Sequence, residues 1–201
     1  MVRRNPVRRA AVVAVAVTVA VGVIAAIAQG GGEDPAAPVR PGAFAWLRPR
    51  AIPSSWSALR VPGTPAELPL PTGWRRASGD AGTRTAELEG PSGEIAGYLN
   101  ATPRQGDETL ASWPEFRPDH NRDEGDREVR LLASAPELRF GGGTGSCVLD
   151  SYLTTAGRRY REIACLVAGR SASTVVVAAA PPGRWATEAP VLERAVAGFE
   201  T

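Results

Sequence analysis

Nineteen consecutive residues, Ala10 to Ala28 (AAVVAVAVTVAVGVIAAIA), carry no charge, and Thr18 is the one side chain among them able to hydrogen-bond. A helix apolar on every side is explained by a membrane far better than by the core of a small soluble domain. At helical rise the run just covers a hydrocarbon layer of roughly 30 Å. Arg3, Arg4, Arg8 and Arg9 precede it, and Glu33 and Asp34 follow. The positive-inside bias then predicts residues 1–9 as a basic cytoplasmic head, 10–28 as a single-pass transmembrane anchor, and the rest as extracytoplasmic. The run exceeds the roughly 7–15 residues of a signal-peptide core, which favours a retained signal-anchor. Ala26-Ile27-Ala28 before Gln29 has the small-x-small form of a cleavage site, so a cleaved signal stays open. With no cysteine near the end of the run, a lipid-modified cysteine is excluded.

Charge and length narrow the remainder. The net charge is +2, and with four positive charges in the head the rest of the chain comes to −2, which asks for no nucleic acid. Every basic residue is arginine, which removes any mechanism built on a Schiff-base or phosphate-loop lysine. What remains suffices for one domain. Residues 29–68 read as a tether and extended lead-in, opening with Gly30-Gly31-Gly32 and then dense in proline. Trp46, Trp56 and Leu59 interrupt it, so this arm either docks on the domain or lies at the bilayer surface.

The folded domain is expected over 69–201, from Pro69-Leu70-Pro71-Thr72-Gly73-Trp74 onward. Thr85–Glu89 and Glu94–Leu99 flank the turn Gly90-Pro91-Ser92-Gly93, and further strands are expected at 128–133, 146–154, 159–167 and 174–180. Two segments read as helices. One spans 107–122 with Asp107 as N-cap, broken or delayed by Pro114 and Pro118; the other spans 187–199 with Thr187 as cap and Pro190 in its first turn. The sum is an α+β domain, an antiparallel sheet of about six strands packed with helices.

The two cysteines give the most specific expectation. Folding 146–154 against 159–167 about Ala156 sets Cys147 opposite Cys165, Leu149 opposite Ile163, Val148 opposite Ala164 and Tyr152 opposite Tyr160. That register pairs like with like on both faces, whereas a two-residue Ala156-Gly157 turn would slip it by one. Outside the cytoplasm such a pair forms a disulfide, and without a Cys-x-x-Cys spacing it is structural.

The same register opposes Asp150 and Glu162, two carboxylates that need a cation between them. Arg130 or Arg161 is the expected partner, and calcium or an acid/base pair for sugar hydrolysis are the rival readings. His120 is the single histidine. It could serve a hydrolase with an acidic partner, yet no Gly-x-Ser-x-Gly accompanies it, so a polar helix-end histidine is expected. Zinc finds no ligand set of usual spacing. Gly141-Gly142-Gly143-Thr144-Gly145-Ser146 leads into a strand, which argues against phosphate binding. No catalytic residue, cofactor or metal is therefore assigned.

Pro71-Thr72-Gly73-Trp74, the paired strands after it, and the closing Trp185, Pro190-Val191-Leu192, Ala195-Val196 and Phe199 resemble the PsbP/Mog1-like proteins over 69–199, in particular their membrane-anchored actinobacterial members. The resemblance implies an antiparallel sheet flanked by helices on both sides and a non-enzymatic binding, assembly or adaptor role; it carries no site residue. The expected function is a binding or assembly module of the cell envelope, held to the membrane through residues 10–28 and meeting an envelope protein partner. The alternatives are a small hydrolase using His120 and a solute- or metal-binding domain centred on Asp150 and Glu162.

Overall fold

The structure is a computed structural model that describes residues 42–201. The basic head, the apolar run 10–28 and the glycine-rich start of the tether lie outside the described residues. Among the described residues no helix is long and apolar enough to cross a membrane.

The elements run β1 (Ser57–Arg60), β2 (Glu67–Leu70), β3 (Arg75–Ala77), β4 (Arg84–Glu89), β5 (Ile95–Pro103), α1 (Trp113–Asp123), β6 (Arg127–Phe140), β7 (Gly143–Leu153), β8 (Arg159–Ala168), β9 (Ser173–Ala180) and α2 (Pro182–Ala197). Seven strands form one antiparallel sheet in the order β3-β4-β5-β9-β8-β7-β6, and β1 pairs with β2 in a separate hairpin. This is the expected α+β domain, with nine strands where about six were expected. The extra three lie before Arg84, in the proline-dense lead-in and its junction with the sheet, where hydrophobic alternation is too short to announce a strand.

The central hairpin has the expected register. Cys147 faces Cys165, Leu149 faces Ile163, Asp150 faces Glu162 and Tyr152 faces Tyr160. The turn is symmetric about Ala156: Thr154 N donates to Arg158 O at 2.8 Å, and Gly157 takes φ 75°, the left-handed conformation that closes a three-residue loop. The one-residue slip is not adopted. β6 is longer than expected and lies at the sheet edge, interrupted by three register shifts, with Glu128 and Glu137 at positive φ. Such bulges twist an edge away from further pairing.

Strand alternation divides the molecule into two faces. On one, α2 packs Leu192, Ala195 and Val196 over Cys147, Ile163, Cys165, Val176 and Ala178. Phe44, Leu47, Leu59, Val61 and Leu68 of the lead-in enter this same core, with Trp46 and Trp56 packed against it. The arm is docked, and the C-terminus locks it: Glu67 N donates to Glu200 O at 3.0 Å. α2 starts at Pro182, more than a turn before Thr187, because Pro182 at its head needs no N–H partner; Pro190 then falls inside the helix.

On the other face, α1 covers β6, β7 and β8 through Trp113, which packs on Val148, Ala164, Leu166 and Val177 and donates from Nε1 to Ala164 O at 3.0 Å. α1 begins late, as its prolines require. Ser112 precedes it in place of Asp107, and Thr109 and Ser112 exchange side-chain bonds to each other's backbone N–H at 2.9 and 3.1 Å.

Candidate functional site

Because α1 sits toward the β6 side, the sheet between β4 and β9 is left without a helix above it. The result is an open cleft of about 640 Å³. α1 forms one wall through Phe116, Arg117 and His120; Thr85, Tyr98, Asn100, Val175, Val177 and Ala179 form the floor, and the loops at Asp80–Thr83 and Gln105–Glu108 form the rim. The floor is polar toward β4 and β5. Thr102 Oγ1 donates to Asn100 Oδ1 at 2.9 Å, and Asn100 Nδ2 donates to Thr85 Oγ1 at 2.9 Å, a hydrogen-bonded row across two strands. Burial raises the Tyr98 phenol above its usual range, so it stays a protonated donor.

A buried charge cluster anchors the wall at its base. Arg117 holds Glu162 Oε1 with Nη2 at 2.6 Å and Nε at 2.8 Å, and Tyr152 Oη donates to Glu162 Oε2 at 2.7 Å. Asn121 Nδ2 donates to Asp150 Oδ2 at 3.3 Å, while Asp150 Oδ1 has no partner among the described residues. Asp150 and Glu162 are both fully buried. Burial, then the neighbouring Glu162 charge, raises Asp150 well above the ordinary carboxylate range. Burial works against the charge on Arg117, but Glu162 and Asp150 outweigh it and hold the guanidinium above its ordinary pKa.

The expected cation was wrong for a geometric reason. Arg161 and Arg130 both pair with Ser151, whose side chain is one residue out of phase with Asp150 and so points to the opposite face. Arg161 instead lies over the Trp185 ring, 4.8 Å from its centroid. The true partner comes from the helix. Trp113, Arg117 and Asn121 recur every fourth residue, one stripe of α1 laid on the sheet. That spacing was the available signal for Arg117 and Asn121; nothing local marked Tyr152 as a donor to Glu162.

The remaining expected residues separate. Cys147 and Cys165 form a disulfide on the α2 face, on the far side of the sheet from the cleft. His120 lines the cleft with its ring stacked on Phe116, centroids 5.7 Å apart and planes 10° apart. Glu162 has both oxygens engaged and Asp150 is sealed beneath it, so the pair cannot flank a substrate bond as two hydrolytic carboxylates must. Among the described residues no group of three or more His, Cys, Asp or Glu is placed to hold a metal ion. The cluster is a structural brace for the wall, and the cleft it supports is what the arrangement offers a ligand.

No protein-family profile matches the chain, and no curated protein does. Solved structures do. CyanoP, the cyanobacterial PsbP of Synechocystis, is 15% identical, with 74% of this chain and 94% of that chain covered at a TM-score of 0.53. A Pseudomonas aeruginosa protein of unknown function is 16% identical, with 71% and 94% covered at 0.45. LpqN of Mycobacterium tuberculosis, described as involved in cell envelope biogenesis, is 15% identical, with 72% and 89% covered at 0.40. The likeness to CyanoP is one of fold, and at that level the resemblance to the PsbP/Mog1-like proteins holds.

Proposed function

We propose that the chain is a membrane-anchored, extracytoplasmic binding module of the cell envelope, and that the cleft between α1 and the open part of the sheet is its recognition surface. One observation carries this reading: a braced wall beside a floor that carries Tyr98 and the Asn100–Thr102 pair, in an open cleft of about 640 Å³. That is the size range of small-molecule sites. A domain concerned only with stability would have covered this floor, as it covers the opposite face. The disulfide supports an oxidising compartment, and the arginine-led apolar run 10–28 supports attachment to the membrane.

The test is photo-cross-linking of the full chain in its own host. A photoreactive residue replaces Gln105 at the cleft rim in one strain and the exposed Arg60 of the β1–β2 hairpin, which packs with the α2 face, in another. A discrete adduct from position 105 that is absent from position 60 is expected, with the domain reachable by a membrane-impermeant reagent. Equal adduct patterns from both positions would remove the cleft as the recognition surface; a domain shielded like a cytoplasmic marker would remove the compartment.

A further inference from the structure

The cleft is far more acidic than the chain around it. Asp80, Glu108, Glu124, Asp126 and Glu162 line it, against the single guanidinium of Arg117. Arg117 is already committed to Glu162, so the other four carboxylates face the cleft without a cation on its lining. They come from separate segments: the β3–β4 turn, the loop before α1, and the end of α1 with the residues after it.

Glu108 is the telling member. Its residue is 5% exposed, and its Oε2 is buried with no hydrogen-bond partner among the described residues. A buried carboxylate oxygen left unpaired is costly, and folds keep one where something else completes it. The backbone confirms that the loop is held: Arg104 N donates to Ser173 O at 2.9 Å, and Arg104 Nη1 donates to Glu108 O at 3.3 Å. Glu108 is thus presented by a pinned loop rather than stranded on a loose one. At the other end of α1, burial and the Glu162 charge together raise Asp126 above the usual carboxylate range, a repulsion that an incoming cation relieves. Between them Phe116, Val175, Val177 and Ala179 supply apolar surface.

We propose that this cleft binds a small organic ligand bearing primary ammonium groups, its nitrogen completing Glu108 and its carbon body lying on the Phe116 side of the floor. The proposal rests on the reading of the cleft as the recognition surface. A compact ammonium, with three rotatable donors, can meet carboxylates spread around a rim, whereas a guanidinium directs all its donors in one plane. A bare metal ion is disfavoured by the same dispersal, since among the described residues no three His, Cys, Asp or Glu side chains converge.

The experiment is saturation-transfer NMR on the full chain in detergent, with putrescine, benzylamine and glucosamine each tested against butane-1,4-diol, benzyl alcohol and glucose. At least one amine is expected to bind about tenfold more tightly than its alcohol, as a charge-assisted hydrogen bond in a partly desolvated site implies. Glu108→Gln and Asp126→Asn, both near-isosteric, are each expected to erase most of that difference while the protein melts no lower than the original and the disulfide stays formed. Alcohols binding as well as amines would overturn the ammonium and leave the cleft standing, as would failure of every probe in a protein that still gives the position-105 adduct. Failure of both experiments would remove the cleft itself.

Discussion

The two faces of the central sheet are made by the same strands and built for different ends. Toward α2 the side chains are apolar and sealed: Cys147, Ile163, Cys165, Val176, Ala178, Leu192, Val196 and Phe199 are all 2% exposed or less. Toward α1 the neighbouring positions are Asp150, Tyr152, Glu162, Tyr98 and Asn100, and only half of that face is roofed. Alternation every second residue lets one hairpin staple the core with a disulfide on one side and brace an open cleft on the other. The difference predicts that damage to the sealed face and to the brace will be read as stability, whereas damage to the open floor will not.

The largest effect should come from Arg117→Met, which keeps the side-chain stem and removes the guanidinium. Glu162 and Asp150 would then be buried together without a counter-charge, a loss of about 3–5 kcal/mol at neutral pH. The sign with pH is fixed: Asp150 is already raised by burial and by Glu162, and without Arg117 it takes up a proton more readily still in the folded state than in the unfolded one. The penalty is therefore full at high pH and shrinks as pH falls toward the carboxylate range. Urea melts at several pH values check this; a pH-independent loss would mean that Arg117 acts by packing alone.

On the sealed face, replacing Cys147 and Cys165 together by alanine should cost about 3 kcal/mol, the chain-entropy value for so short a loop, and reduction of the native protein should cost about the same. Agreement between the two would assign the loss to the cross-link. A much larger loss in the double variant would assign it to packing of the sulfurs in the core.

Asp150→Asn inverts the usual direction. The folded-state pKa of Asp150 is raised by burial and by Glu162, so folding favours the protonated acid, and the stability this group contributes falls as pH climbs from the ordinary carboxylate value through the raised one. An amide keeps the Oδ2 acceptor for Asn121 and cannot ionise. A gain in stability is expected near pH 8, fading toward pH 4. Thermal melts of the two proteins across that range decide it; destabilisation at pH 8 would mean that the ionised Asp150 is needed to hold Arg117.

The sequence was most legible where two constraints coincide. The β7–β8 register follows from pairs that match on both faces at once, and it carries the disulfide and the opposed carboxylates with it. The helix that completes the brace was harder to read, because Pro114 and Pro118 obscure a stripe whose period is otherwise clean. Arg130 and Arg161 lie on strands beside the two carboxylates but one residue out of phase with them, and alternation sends their side chains to the other face. Trp46, Trp56 and Leu59 signalled that the arm docks or lies at the bilayer surface, but the burial of Phe44 and Leu47 had no signal, since an extended arm has no periodicity of its own and its burial is decided by the sheet it meets. Glu108 carries no local signal either; its isolation exists only once the loop before α1 is folded over the floor.

Asn100→Ala gives the smallest expected effect and the sharpest test of the contrast. Asn100 links Thr85 and Thr102 across the floor, and in a sealed core its removal would strand both hydroxyls at a cost of about 1–3 kcal/mol. In an open cleft water replaces the lost amide, and the loss should stay below about 1 kcal/mol in denaturant melts. A loss as large as that of the disulfide variant would mean that the floor is structurally closed and that its polar row exists to hold β4 against β5. A small loss leaves the row without a structural reason to be polar, which is the condition under which a ligand becomes its explanation.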